Sequence, residues 1–277
     1  VRIDAHHHVW DLAVRDQPWT AGIPLLNKTF TVDELRPALR AHHIDATVVV
    51  QSIPVAAETA ELIRLAASDP HVRAVIGWAD LNDFGIGDCL ARLRELPGGG
   101  ALVGIRYGVQ DEADPDWLRR PQARRGIAAV GAAGLVYELV VRPDQLAAAV
   151  RTVADLPDVR FVLDHAGNPE IRPDALQPWG GLLAELAALP NVAVKLSGLV
   201  TRTGSPSAQV LRPYGDVLLD TVGPHRVIYG SDWPVCLLAA DYDQVIGIAQ
   251  SLTAALSPHE RAAVFGGTAA GWYRITA

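Results

Sequence analysis

Three histidines stand in a row near the start of the chain, at the end of the alternating stretch RIDAHHHVW (Arg2 to Trp10). Strand side chains change face at each residue, about 3.3 Å apart, so His6 and His8 point the same way, roughly 6–7 Å apart at Cα, and His7 points oppositely. Two imidazoles can then converge on one ion or one substrate. Far along the chain, Asp164-His165 closes one β-branched run and Ser231-Asp232-Trp233-Pro234 closes another. His6, His8, His165 and Asp232 together make three neutral imidazoles and one carboxylate, a set suited to Zn²⁺ or another divalent first-row ion with a position left for water. Asp232 is placed to take a proton from that water as it attacks a carbonyl. The chemistry implied is hydrolysis. An isolated H-x-H is a weak signal, but its combination with the later histidine and aspartate is specific.

The elements that must position these groups follow one cadence: a short β-branched run, a turn marked by Gly, Asp or Pro, then an amphipathic segment rich in Ala, Leu and Arg. After the histidine strand come ATVVVQS (Ala46–Ser52), VRAVIGWADL (Val72–Leu81), LVGIRYG (Leu102–Gly108), LVYELVV (Leu135–Val141), VRFVLDHAG (Val159–Gly167), VAVKLSG (Val192–Gly198) and RVIYGSDWP (Arg226–Pro234). Helices are expected over Val32–Ala41, Ala56–Ser68, Gly87–Glu95, Asp116–Val130, Pro143–Ala154, Pro173–Ala188, Ala208–Thr221 and Asp241–Ala255. Thr31 with Glu34, and Ser257-Pro258 with Glu260, carry capping signals. Pro37 inside the first helix weakens its boundaries. This alternation argues an α/β fold, a (β/α)8 TIM barrel, with a doubly wound sheet as the alternative. The tail from Ser257 to Ala277 is expected to add a helix packed outside the barrel. Gly98-Gly99-Gly100 is too short to separate domains, so residues 1–277 are read as one domain.

A barrel site collects at the C-terminal ends of the strands. Besides the four residues above, those ends carry Gln51, Trp78 and Asp80, Arg106, Glu138, Asp164, Lys195 and Ser197, and the eighth run continues into Trp233. Lys195 has apolar neighbours on both sides and is costly to bury unpaired, which points to a pocket or ion-pair role and places it with Asp232 and His165 in the catalytic set. Arg106, in a similar setting, suits a carboxylate or carbonyl oxygen. Asp164 either caps the following turn or orients a metal-bound histidine. Gln51 and Ser197 either satisfy backbone groups or bind substrate. Trp10, Trp78 and Trp233 either fill the core or form a rim that stacks on a substrate ring.

Composition narrows the partners. Hydrophobic residues make up 49% and charged residues 20% of the 277 residues, which excludes a disordered chain. The 24 basic and 31 acidic residues leave −7 with no basic cluster, arguing against a nucleic acid or an anionic membrane as partner. No stretch reaches the roughly 18 apolar residues of a membrane span, and the histidine strand begins too early to leave room for a signal peptide. The two cysteines, Cys89 and Cys236, fit no disulfide framework and suit a reducing cytoplasm. A small molecule is the expected partner. The oligomeric state is not legible.

The stretches IDAHHHVW, VVVQS, GWADL, GIRYG, LDHAGNP, VKLSGL, YGSDWPV and FGGTAAGWY resemble the amidohydrolase superfamily nearly end to end. More narrowly, they resemble its branch of sugar-lactone hydrolases, which includes L-fuconolactone and L-rhamnono-lactone hydrolases and 2-pyrone-4,6-dicarboxylate lactonases. The resemblance implies His6 and His8 as the first-strand pair, His165 as the sixth-strand histidine and Asp232 as the eighth-strand aspartate. Binuclear members carry a modified lysine on the fourth strand, where this chain offers Arg106, so one divalent ion, zinc, is expected. Some members of the branch work without metal; the histidines would then polarise the carbonyl by hydrogen bonds. With Arg106 and Lys195 as the visible cations, a neutral sugar aldonolactone is favoured over a dicarboxylate. A metal-dependent decarboxylase of the same superfamily and a catalytically silent binding barrel are the alternatives.

Overall fold

Short β-branched runs build the frame. In the computed structural model, which describes residues 1–172 and 174–275, the strands are β1 (Ile3–His7), β2 (Ala46–Val50), β3 (Val72–Gly77), β4 (Leu102–Tyr107), β5 (Val136–Leu139), β6 (Phe161–Leu163), β7 (Val192–Leu196) and β8 (Val227–Tyr229). They pair in parallel and in sequence order, β1 to β8. Each is followed by a helix: α1 (Val32–Ala41), α2 (Ala56–Ser68), α3 (Ile86–Glu95), α4 (Pro121–Ala132), α5 (Leu146–Asp155), α6 (Trp179–Ala187), α7 (Ala208–Val222) and α8 (Tyr242–Leu252). This is the expected (β/α)8 barrel.

Local chemistry explains the boundaries. The Glu34 carboxylate accepts the Thr31 N–H at 2.9 Å, fixing the start of α1. Pro37 leaves that helix intact because the carbonyl it deprives of a partner belongs to exposed Asp33, which water can serve. Helix α4 begins later than the expected Asp116, because Trp117–Arg119 forms a separate tight turn and Pro121 then opens the helix. Helix α6 likewise starts only at Trp179, right after Pro178; the expected start, Pro173, and the last two residues of the tail, Thr276 and Ala277, lie outside the described residues.

Alternate strand positions divide the core in two. Val49, Val75, Ile105, Tyr137, Phe161, Val194 and Tyr229 belong to the large cluster that includes helix residues such as Leu35, Leu62 and Ile127. Ile3, Ala5, Val48, Ile76, Val136, Val162, Ala193 and Ile228 form the inner cluster that fills the barrel. The tail corrects one expectation. It does not pack outside: after α9 (Pro258–Ala262) and a wide turn at Ala263–Gly267, α10 (Thr268–Tyr273) puts Ala269 and Tyr273 into the inner cluster. It sits at the N-terminal mouth of the barrel, where Trp272 Nε1 donates to the Phe161 carbonyl at 3.2 Å. The mouth is an apolar opening that needs a cover, and α10 supplies it.

The ring closes through the segment after β8. The Asp232 N–H donates to the His6 carbonyl at 2.7 Å, and the His8 N–H to the Trp233 carbonyl at 2.7 Å. Behind them, the buried Asp4 carboxylate accepts the Ser231 N–H at 2.8 Å and the Tyr242 hydroxyl at 3.1 Å. The two backbones approach so closely that a Cβ on Gly230 would stand 2.5 Å from His6 Cβ. Gly230→Ala is therefore expected to lower stability by about 1–3 kcal/mol through overpacking at the seam. Urea denaturation checks this, and an unchanged midpoint would contradict the role given to Gly230.

Candidate active site

One extra residue in β1 aims the first histidines. Between Asp4 and His7 the strand advances three positions while its partner advances two, from Thr47 to Val49. This bulge lets Ala5 face the inner cluster while His6 and His8 also point inward, and it sends His7 outward to Thr47 Oγ1 at 2.9 Å. His6 Nε2 and His8 Nε2 lie 3.2 Å apart, and each is 3.7 Å from Asp232 Oδ1. The His8 Nδ1–H donates to the Val50 carbonyl at 2.8 Å, which turns its Nε2 lone pair toward His6 Nε2 and Asp232.

His165 is held by a left-handed turn. His165, Ala166, Gly167 and Asn168 have φ of 53°, 50°, 77° and 53°. Three of these are not glycine, so the turn is strained and the surroundings must hold it. Trp179 Nε1 donates to the Ala166 carbonyl at 2.7 Å, and Asn168 Nδ2 to the Val141 carbonyl at 2.9 Å. Ser197 Oγ lies 2.9 Å from His165 Nδ1, and a Cβ on Gly198 would come within 2.4 Å of the same atom. Asp232 also has positive φ, 59°. The strain thus gathers at His165 and Asp232, whose side chains lie with His6.

The donor set fits a metal ion. One ligand atom each from His6, His165 and Asp232 lies within 4.8 Å of the others. Bonds of about 2.0–2.2 Å to a tetrahedral ion put donors roughly 3.3–3.6 Å apart, the scale of the His6, His8 and Asp232 triangle. Burial pushes the His6 imidazole well below its usual range and His8 down to about 3, and lowers His165. All three are neutral at pH 7, as ligands must be. Burial raises the Asp232 carboxyl, opposed by His165 and Arg106.

Beneath this layer lies a buried ionic cluster. Lys195 Nζ is 2.7 Å from Glu138 Oε1, 3.0 Å from Asp164 Oδ1 and 3.1 Å from His6 Nδ1. Arg106 donates to Asp164 at 3.1 Å and to the Gln51 carbonyl at 2.6 Å. Burial raises the Glu138 carboxyl to about 7, helped by the Asp164 charge and opposed by Lys195. For Asp164, Lys195, His6 and Arg106 outweigh burial and hold the carboxyl well below its usual range.

Above the donors opens a cavity of about 1010 Å³, and His8, Arg106, His165 and Asp232 are the expected residues that reach it. Lys195, placed in the catalytic set from sequence, does not line it; its ammonium is spent on the ionic cluster. Nor do Gln51 and Ser197, which serve the backbone of Arg106 and the ring of His165. The three tryptophans form no rim. Trp10 donates to the Lys28 carbonyl and packs on Phe30, Trp233 also packs on Phe30, and Trp78 stacks on Tyr107. The aromatic face in the cavity belongs to Trp19, 39% exposed, from the loop between β1 and α1. Arg15, Asp16, Gln110, Asp111, Asn168 and Arg202 complete the polar wall. The sequence does not mark them, because loop residues carry no register; the Pro18-Trp19 pair in a long loop is the available signal.

The chain is similar to known proteins along nearly its whole length. The amidohydrolase family model matches residues 3–275. An L-fucono-1,5-lactonase of Burkholderia multivorans is 39% identical, covering 99% of this chain and 96% of that protein. An L-fucono-1,5-lactonase of Burkholderia ambifaria is 38% identical over the same shares. A crystal structure of an amidohydrolase from Burkholderia multivorans with bound zinc superimposes with a TM-score of 0.93 at 38% identity, covering all of both chains.

His7, the histidine that faces away, tests the electrostatics of this layer without touching the cavity. Burial lowers it from 6.5 to about 4. The unfolded chain takes up a proton at its ordinary value while the folded chain refuses it. Its contribution is therefore complete above pH 6.5 and is lost as the pH falls toward 4, by on the order of 3 kcal/mol in full. His7→Gln is expected to flatten the fall of the urea midpoint between pH 6.5 and 4; an equally steep fall would contradict the assignment.

Proposed function

The chain belongs to the amidohydrolase family, and from that premise we propose that it hydrolyses a small sugar lactone, an aldonolactone of the L-fucono-1,5-lactone type, using one zinc ion held by His6, His8, His165 and Asp232. The observation that carries this reading is the set of neutral imidazole donors and one carboxylate, 3.2 to 3.7 Å apart for His6, His8 and Asp232, on the floor of an open cavity. The end-to-end likeness to two L-fucono-1,5-lactonases supports the substrate class.

When bound, zinc polarises the lactone carbonyl and makes water acidic enough to attack near neutral pH. Asp232, its proton affinity raised by burial, accepts the proton of the attacking water. The new carbon–oxygen bond forms at the carbonyl carbon as the bond to the ring oxygen breaks. Asp232 then returns the proton to that oxygen, and the product is an open hydroxy acid. Arg106 faces the cavity from β4, and its guanidinium, balanced by Asp164, is a hydrogen-bond donor for the carboxylate that appears.

The walls favour a neutral ring. Three arginines, Arg15, Arg106 and Arg202, face three acids, Asp16, Asp111 and Asp232. Arg15 is tied to Glu61 at 2.6 Å and Arg106 to Asp164, so little net positive charge remains for a dicarboxylate. Gln110 and Asn168 suit hydroxyls, and Trp19 suits the ring face. No helix among the described residues is long and apolar enough to cross a membrane. Cys89 and Cys236 are free thiols, which fits the cytoplasm as the working compartment.

Purified protein screened against L-fucono-, L-rhamnono- and other aldonolactones with a pH indicator is expected to release acid from at least one. Chelation is expected to abolish turnover and added zinc to restore it. Asp232→Asn is expected to lower kcat by about 10²- to 10⁴-fold. No acid from any lactone, or carbon dioxide from an aromatic acid instead, would overturn the substrate class. Full turnover after chelation would overturn the metal, and an unimpaired Asp232→Asn would overturn the general base.

A further inference from the structure

The FGGTAAGWY stretch at the end of the chain, Phe265 to Tyr273, takes no part in the cavity. Its residues instead bring one hydroxyl up through the barrel floor. A Cβ on Gly266 would stand 2.1 Å from the Val1 carbonyl oxygen, so only glycine lets the chain pass this close beneath β1. Trp272 anchors α10 on the Phe161 carbonyl and lies under the Arg160 guanidinium. Tyr273, 2% exposed, enters the inner cluster, and its hydroxyl donates to Glu138 Oε1 in a very short hydrogen bond.

That oxygen also accepts from Lys195 at 2.7 Å, while Glu138 Oε2 has no hydrogen-bond partner among the described residues. The Tyr273 hydroxyl and Lys195 therefore fix the carboxylate between them, and Lys195 Nζ lies 3.1 Å from His6 Nδ1. We propose that Tyr273 is a positioning residue for the site, acting through Glu138 and Lys195 on the His6 ring. Without its hydroxyl, Glu138 keeps Lys195 as its only side-chain hydrogen-bond partner among the described residues, the ammonium shifts with the freed carboxylate as far as Asp164 allows, and its contact with the His6 ring changes. The effect on metal rests on the reading of His6 as a zinc ligand; the effect on the His6 ring does not.

The test compares Tyr273→Phe, which keeps the ring in the inner cluster, with Trp272→Phe, which loosens the same helix on its other side. In the zinc-loaded full chain, Tyr273→Phe is expected to raise the zinc dissociation constant about 10- to 100-fold, measured by competition with a chromogenic chelator. Lactone kcat is expected to fall with KM little changed. Trp272→Phe is expected to lower the thermal midpoint and leave zinc affinity unchanged. In metal-free protein, the His6 imidazole nitrogen resonances, assigned with His6→Asn, are expected to move in Tyr273→Phe and to stay in Trp272→Phe. Unmoved His6 resonances in Tyr273→Phe would overturn the proposal, as would equal shifts in both variants. If the wild type binds no zinc and opens no lactone, the functional reading falls, and the resonances still decide the role of Tyr273. Should Tyr273→Phe fail to fold, Glu138→Gln breaks the same connection, and unmoved His6 resonances there would overturn it equally.

Discussion

The closure of the barrel between β1 and the segment after β8 is the constraint on which the site depends. The hydrogen bonds that seal the ring run between the backbones of His6, His8, Asp232 and Trp233, so the residues that close the fold also present the donors. Side chains carried on sealing backbone have little freedom. The spacing of His6, His8 and Asp232 is thereby set by main-chain geometry rather than by long flexible side chains. Gly230 permits the approach, the bulge between Asp4 and His7 turns both histidines inward, and Asp4 ties Ser231 down from behind. Strand register and site geometry are one problem with one solution.

Below the seam the barrel is layered by polarity. The N-terminal mouth is filled by the apolar inner cluster and closed by α10. Above it lie Glu138, Asp164, Lys195 and Arg106, two acids against two bases, and above these the imidazoles. Charges buried this deeply are tolerable only when matched, and removing one member leaves its partner stranded. The matched layer also governs the one above it: burial and the nearby Lys195 keep His6 neutral against the pull of Asp164. A polar cavity floor is thus supported by ionic pairs, and these in turn by a hydrophobic plug.

Much of this was legible in the chain. Period-two runs followed by amphipathic segments gave the barrel, and strands ending in His, Asp and Arg pointed to a site at one rim, because both signals are periodic and local. What could not be read was set by contacts distant in sequence. Trp10, Trp78 and Trp233 adjoin strand ends just as a rim would, yet each turns into packing, while Trp19 reaches the cavity from a loop with no register to reveal it. Lys195, flanked by apolar residues, needs a partner, but its partners Glu138 and Asp164 come from β5 and the turn after β6, so its distance from the cavity is invisible in the chain. The tail read as a helix; that its tyrosine meets Glu138, 135 positions earlier, required the fold.

The same layering bears on how many ions the proposed site would hold. A second group of donors, His6, Glu138 and Asp164, is also close enough to surround a cation. That group already faces one, the ammonium of Lys195, within 2.7 to 3.1 Å of all three. Arg106 adds a second fixed charge on the fourth strand, 3.4 Å from His6 Nε2 and paired to Asp164. A second divalent ion would have to displace one of these buried cations from its carboxylates and strand it away from water, at a cost of several kcal/mol. Under the proposed reading, the chain itself supplies the positive charge that a second metal would bring, and the ligand set at the seam remains a site for one.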